Sequence, residues 1–186
     1  MRVTVARRLG LSELVTDHFR TLYETDSEDK QSVSVADVVV FYAMPFGCGV
    51  AAAVFGVRLN DISTIIAGIS IFTALLFGLL IHVFVMGMEI ASNPKWTKVS
   101  RVTILVGELR ANVAYSCGVG LLLTTLLIVA SSISETVTTV SGNVEVTATP
   151  VTVWLSALII GLLVHLLLTL LMVLKRIRSA YRLMSK

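Results

Sequence analysis

The chain predicts an all-α membrane protein: a four-transmembrane-helix bundle with an N-terminal amphipathic helix and a small external β-hairpin. Three observations carry this expectation. Of 186 residues, 55% are hydrophobic and only 15% charged, where soluble domains run near 45–50% and about 25%. The apolar residues gather into four blocks, each about 20 or more residues without a full charge, enough to cross a hydrocarbon core about 30 Å thick. The basic residues flank these blocks asymmetrically.

The first block, 38–57, lies between Asp37 and Arg58. The second covers 62–88, the third 111–130, and the fourth 151–174, which stops at Lys175-Arg176. In lipid the backbone must satisfy its own hydrogen bonds, so each block is read as a helix. Only Arg58-Leu59-Asn60-Asp61 separates the first two, which predicts an antiparallel helical hairpin with Asn60 or Asp61 capping the second helix. Asn93-Pro94 signals a turn, and the spacing of Val102, Leu105, Val106, Leu109 and Val113 starts the third helix near Lys98.

Every Lys and Arg except Arg58 falls before the first block, between the second and third, or after the fourth. The positive-inside rule then puts both termini in the cytoplasm, with the chain in the inner membrane. The residues divide into a cytoplasmic segment 1–37, a membrane domain 38–174 and a basic tail 175–186. The net charge of +3 is carried by residues flanking apolar blocks, so lipid headgroups are the expected partner rather than nucleic acid.

Residues 9–24 carry Leu11, Leu14, Val15, Phe19 and Leu22 at helical spacing, with Ser12 as a cap, and then give way to a polar linker at 26–32. Such a helix suits either a membrane surface or a cytosolic partner, for which Leu11, Leu14, Phe19 and Leu22 are the contact candidates. Glu108 and Asn112 share one face of the third helix and read as a solvated face or as a polar contact to a partner or subunit. The external link 131–150 holds two β-branched runs around Ser141-Gly142-Asn143, read as a hairpin with a three-residue turn.

No acid, Lys or Arg lies at mid-depth in a block, which argues against a proton-coupled pump. His165 and His82 are the ionisable candidates, with Thr124 and Thr125 as polar companions for a pore. The competing reading is a neutral histidine bonded to a neighbouring helix. Gly47, Gly49, Ala51 and Ala53 on the first block, and Ser116 and Gly120 on the third, form small-xxx-small pairs. These suit close helix packing, either within the chain or in a homo-oligomer. Pro45 should kink the first helix, and Tyr42, Tyr115 and Trp154 read as interfacial aromatics. Cys48 and Cys117 form no metal or disulfide pattern, and no motif for a cofactor or for hydrolytic or phosphoryl-transfer catalysis occurs.

An acidic linker leads into Val39-Val40-Phe41-Tyr42-Ala43-Met44-Pro45, then comes a long second span, then Val106-Gly107-Glu108-Leu109-Arg110-Ala111-Asn112-Val113-Ala114-Tyr115-Ser116, and finally Leu171-Met172-Val173-Leu174-Lys175-Arg176-Ile177. This order of parts resembles the small four-span proteins of prophages and bacterial anti-phage loci, such as the membrane subunit of the Kiwa system and the membrane partner in Rex-type exclusion. The resemblance lies in architecture over most of the chain and carries over no functional residue. It implies a non-enzymatic, oligomeric sensor, adaptor or effector that works with a cytosolic partner. The alternative from another class is a channel or small-solute carrier.

Overall fold

A computed structural model describes residues 11–20, 23–25, 31–33, 35–92, 101–134, 137–141, 144–148 and 150–184. In chain order these form α1 (Leu11–Arg20), β1 (Tyr23–Thr25), β2 (Gln31–Val33), α2 (Val35–Val54), α3 (Ile62–Ser92), α4 (Arg101–Ile133), β3 (Val137–Ser141), β4 (Val144–Ala148) and α5 (Val153–Met184).

Among the described residues, three helical stretches are long and apolar enough to cross a membrane: Ile62–Ser92, Val102–Ile133 and Val153–Ser179. The sequence reading expects a fourth at 38–57. Here the apolar helix is shorter, Val39–Val54. The whole of α2 is 20 residues, about 30 Å at 1.5 Å per residue, and its apolar stretch stops three residues before the expected end at 57. The early C-terminal end is set by Gly56, whose φ of +63° closes a left-handed cap. The Val57 N–H donates to Ala52 O at 2.9 Å and the Gly56 N–H to Ala53 O at 3.2 Å. That is the paired Schellman pattern, and it ends the helix before the charge at Arg58.

The start of α3 follows from Asp61. Its carboxylate accepts the Thr64 N–H at 3.1 Å and the Ser63 hydroxyl at 3.0 Å, satisfying a donor that the helix cannot. The expected α2/α3 hairpin does not form as a packed pair: α2 packs on α5, while α3 packs on α4. The link explains this. Leu59 O accepts the Val151 N–H at 3.0 Å, and the Leu59 N–H donates to Ser156 Oγ at 3.1 Å. The beginning of α5 is thereby held against the short connection.

α4 is the central helix, in contact with α1, α3 and α5. Its buried residues form two apolar clusters. One joins Val106, Leu109 and Val113 to Leu76 and Val83 of α3, and the other joins Leu123 and Leu127 to Ile62, Ile159 and Leu166. α3 and α4 approach closely at Gly120, where an added Cβ would stand 2.5 Å from the Thr73 hydroxyl. That hydroxyl is buried and has no hydrogen-bond partner. Thr73→Ala should therefore be neutral or stabilising by up to about 1 kcal/mol, since it removes an unsatisfied polar group. It should also make Gly120→Ala tolerable. A double-mutant cycle on detergent unfolding checks this, and equal cost of Gly120→Ala in both backgrounds would refute it.

β3 and β4 pair antiparallel, from Val137 opposite Ala148 to Ser141 opposite Val144. Ser141 thus belongs to the strand rather than to a three-residue turn, and the two residues between the strands lie outside the described ones. At the other end of the sequence, α1 stops at Arg20 rather than reaching 24. Tyr23–Thr25 pairs with Gln31–Val33 where a plain polar linker is expected. The Asn93-Pro94 turn also lies outside the described residues.

Candidate functional site

The apolar face of α1 is only partly covered, since Val15 and Phe19 remain 41% and 42% exposed. It lies along α4, with the Leu14 side chain 3.1 Å from where a Cβ on Gly118 would stand and His18 against Asn112 and Tyr115. The two helices run antiparallel here, because the later α1 residue meets the earlier α4 residues. His18 is fully buried. Its Nδ1 is 2.9 Å from Asn112 Oδ1, and an amide oxygen only accepts, so Nδ1 carries the proton. The His18 ring stacks on Tyr115 with centroids 3.9 Å apart and planes within 2°. Next to it, Phe19 stacks on Tyr42 of α2 at 5.5 Å and 3°.

His165 of α5 closes the cluster. Its Nδ1 lies 3.3 Å from Phe41 O, and its Nε2 lies 2.9 Å from the Tyr115 hydroxyl. The carbonyl requires Nδ1 to donate, so a neutral His165 accepts the tyrosine proton at Nε2. Phe41 O is available because Pro45 stands four residues later and has no N–H to return to it. The proline thus frees a carbonyl in α2 that the histidine of α5 takes up. This joins a residue read as a kink to one read as a pore candidate.

One turn of α4 before Asn112, Glu108 forms an ion pair with Arg176 of α5. Both are largely buried, as are Ser116 and Thr169, whose hydroxyls donate to the carbonyls of Asn112 and His165. A polar seam therefore runs along the α4–α5 contact from Glu108–Arg176 to Tyr115–His165, with α1 laid over it. Burial and, to a smaller degree, the nearby His165 and Arg176 hold the His18 pKa down to about 4, against the opposing effect of its Asn112 bond.

Several sequence expectations change here. Glu108 and Asn112 share a face, but Asn112 is fully buried and Glu108 pairs with Arg176 of the same chain. Tyr42 and Tyr115 belong to this cluster and not to an interfacial belt, whereas Trp154 is exposed. Leu14 contacts α4, Phe19 is partly exposed above Tyr42, and the Leu11 side chain and Leu22 lie outside the described residues. Among the pore candidates, His82 is on an exposed face of α3. Thr124 and Thr125 donate back to Gly120 O and Leu121 O of their own helix, and they do not converge on His165. Gly49 faces Ala157 and Gly161 of α5, and Gly120 faces Thr73. Ser116 is buried, Ala53 is half-buried, and Gly47 and Ala51 are exposed.

Sequence reasoning missed His18 as a site residue. Its signal was its position on the apolar stripe, seven residues after Leu11 and four before Leu22, where an apolar residue is expected. Among the described residues, no group of three His, Cys, Asp or Glu side chains is placed to hold a metal. No protein-family model, no curated protein and no solved structure matches the chain.

Proposed function

We propose that this is a non-enzymatic membrane adaptor: a bundle that crosses the inner membrane four times and couples its own N-terminal helix to a cytosolic partner in anti-phage defence. The observation that carries this reading is the seating of α1 on the polar seam through His18, Asn112 and Tyr115. A docked amphipathic helix has two states with different exposed surfaces, which is what a coupling element requires. The fourth crossing is α2, whose Phe46 and Val54 expose 75% and 76% of their surface, as lipid-facing residues do. With 20 residues α2 is about 30 Å long, close to the thickness of the hydrocarbon core. The distribution of Lys and Arg supports cytoplasmic ends and an external β3–β4 hairpin. The exposed Gly47–Ala51 face of α2 is the surface left for a homo-oligomer, since Gly49 and Gly120 are used within the chain.

The test has two parts. A reporter active only outside the cell should work at Gly142 and fail at Pro94 and Lys186. Activity at Lys186 would overturn the even number of crossings. Deleting residues 1–24 should abolish protection against phage while the protein remains in the membrane, and purified protein in liposomes should pass no ions. Ion flux that requires His165 would instead favour the channel.

A further inference from the structure

A groove of about 470 Å³ opens between α1, α3 and α4. Its floor is a smooth track on α4, where Gly107, Ala111 and Ala114 follow one another at helical spacing. Leu14 and Phe84 form apolar walls. Two opposite charges border it, Asp17 of α1 and Arg110 of α4. Among the described residues neither has an ion-pair partner. The Arg110 guanidinium rests over the Phe84 ring, 5.4 Å from its centroid, which fixes the cation at the groove's edge. Glu108 also borders the groove, but its carboxylate is engaged by Arg176.

An apolar track with one cation and one anion at its rim matches one kind of membrane component. We propose that the groove binds a single phospholipid with an amine-bearing zwitterionic headgroup, its phosphate on Arg110, its ammonium on Asp17 and an acyl chain along Ala111, Ala114 and Leu14. A guanidinium grips phosphate with paired N–H donors. A primary ammonium offers N–H donors to a carboxylate, which a quaternary choline lacks. A purely anionic headgroup would place its phosphate near Asp17 without the compensating cation. Because α1 supplies Asp17 and Leu14, the lipid bridges α1 to the bundle and favours the docked state. The inference rests on the membrane reading above but not on its orientation or on the phage role.

The experiment uses the full chain, purified in mild detergent. Binding is measured by native mass spectrometry and by the rise in melting temperature with short-chain phosphatidylethanolamine, phosphatidylcholine or phosphatidylglycerol, and with soluble glycerophosphoethanolamine. Phosphatidylethanolamine should bind about tenfold more tightly than either other lipid, a difference worth about 1.4 kcal/mol. Asp17→Asn and Arg110→Gln should each erase that preference. Gly107→Leu should abolish binding by filling the floor. No atom lies within 4 Å of a Cβ at Gly107, and leucine favours a helix over glycine, so this variant should remain folded. Equal binding of the three lipids, or a preference that survives Asp17→Asn and Arg110→Gln, would overturn the proposal. Soluble headgroup binding as tightly as the lipid would show that a free phosphoamine, not a lipid, is the ligand. These readouts need no topology, so their failure is separable from an active reporter at Lys186.

Discussion

Gly161→Leu should detach α2 from α5 and destabilise the protein by about 3 kcal/mol or more, because the two helices meet backbone to backbone at this point. An added Cβ on Gly161 would lie 3.2 Å from Pro45 O, and one on Gly49 would lie 3.1 Å from Ala157 O. A single methyl already forces a shift of a few tenths of an ångström, and a leucine leaves no room for the remaining carbons. Gly49→Leu should match the loss. The damage extends to the site, since moving α2 withdraws Phe41 O from His165. Gly47→Leu, on the same helix with nothing within 4 Å of its Cβ, is the control and should cost little. Unfolding in mixed micelles measures all three. Wild-type stability in Gly161→Leu would refute the crossing. A large loss in Gly47→Leu would instead mark that face as covered by a second copy of the chain.

Release of α1 is the second large effect expected, by His18→Ala or by acid. The substitution removes the Asn112 hydrogen bond and the Tyr115 stack, and it leaves a cavity at a fully buried position. The acid route follows from linkage. His18 titrates near 6.5 when free and about 4 when docked, so the undocked state binds the proton more readily. Docking is therefore at full strength above pH 6.5 and weakens as pH falls from 6.5 towards 4, by about 2–3 kcal/mol across the window. The incoming proton goes to Nε2, since Nδ1 already donates to Asn112. It arrives among Tyr115 and Asn112 of α4 and His165 and Arg176 of α5, of which Arg176 is cationic and His165 also lowers the His18 pKa. Hydrogen exchange of the α1 amides, corrected for the intrinsic pH dependence of exchange, should show lost protection at pH 5 in the wild type and at both pH values in His18→Ala. Unchanged protection of the wild type at pH 5 would contradict this.

The long helices were legible because runs of 20 or so uncharged residues have few other uses. Asp61 was legible as a cap because its side chain acts on the residues immediately following it. The end of α2 is not marked by the charge at Arg58, because the backbone reversal occurs at Gly56. Helix partners were not legible. Small residues at Gly49 and Gly120 announce close approach, but the pattern is the same whether the neighbour is α5, α3 or another copy. The site suffered most from distance in sequence. His18 and Asn112 are 94 positions apart, and His165 and Phe41 are 124 apart. Local periodicity contains neither separation. What could be read was a misfit: a histidine on an apolar stripe, and a proline that must leave a carbonyl without its usual donor.

The two bonds that tie Leu59 to Val151 and Ser156 also have a mechanical consequence. They hold the α2–α3 link and the start of α5 together at the end of the bundle nearest β3 and β4, like the rivet of a pair of tongs. α5 extends 32 residues from there, about 48 Å. A rotation of only 5° about such a fulcrum moves the far tip by about 4 Å and the region near the rivet by almost nothing. His18 sits partway along the jaws, so its grip on the α4 side and the Phe41–His165 contact on the α2 side limit the same opening. Leverage of this kind makes any displacement largest at Arg176, whose ion pair with Glu108 holds that end, and at the helical residues beyond it.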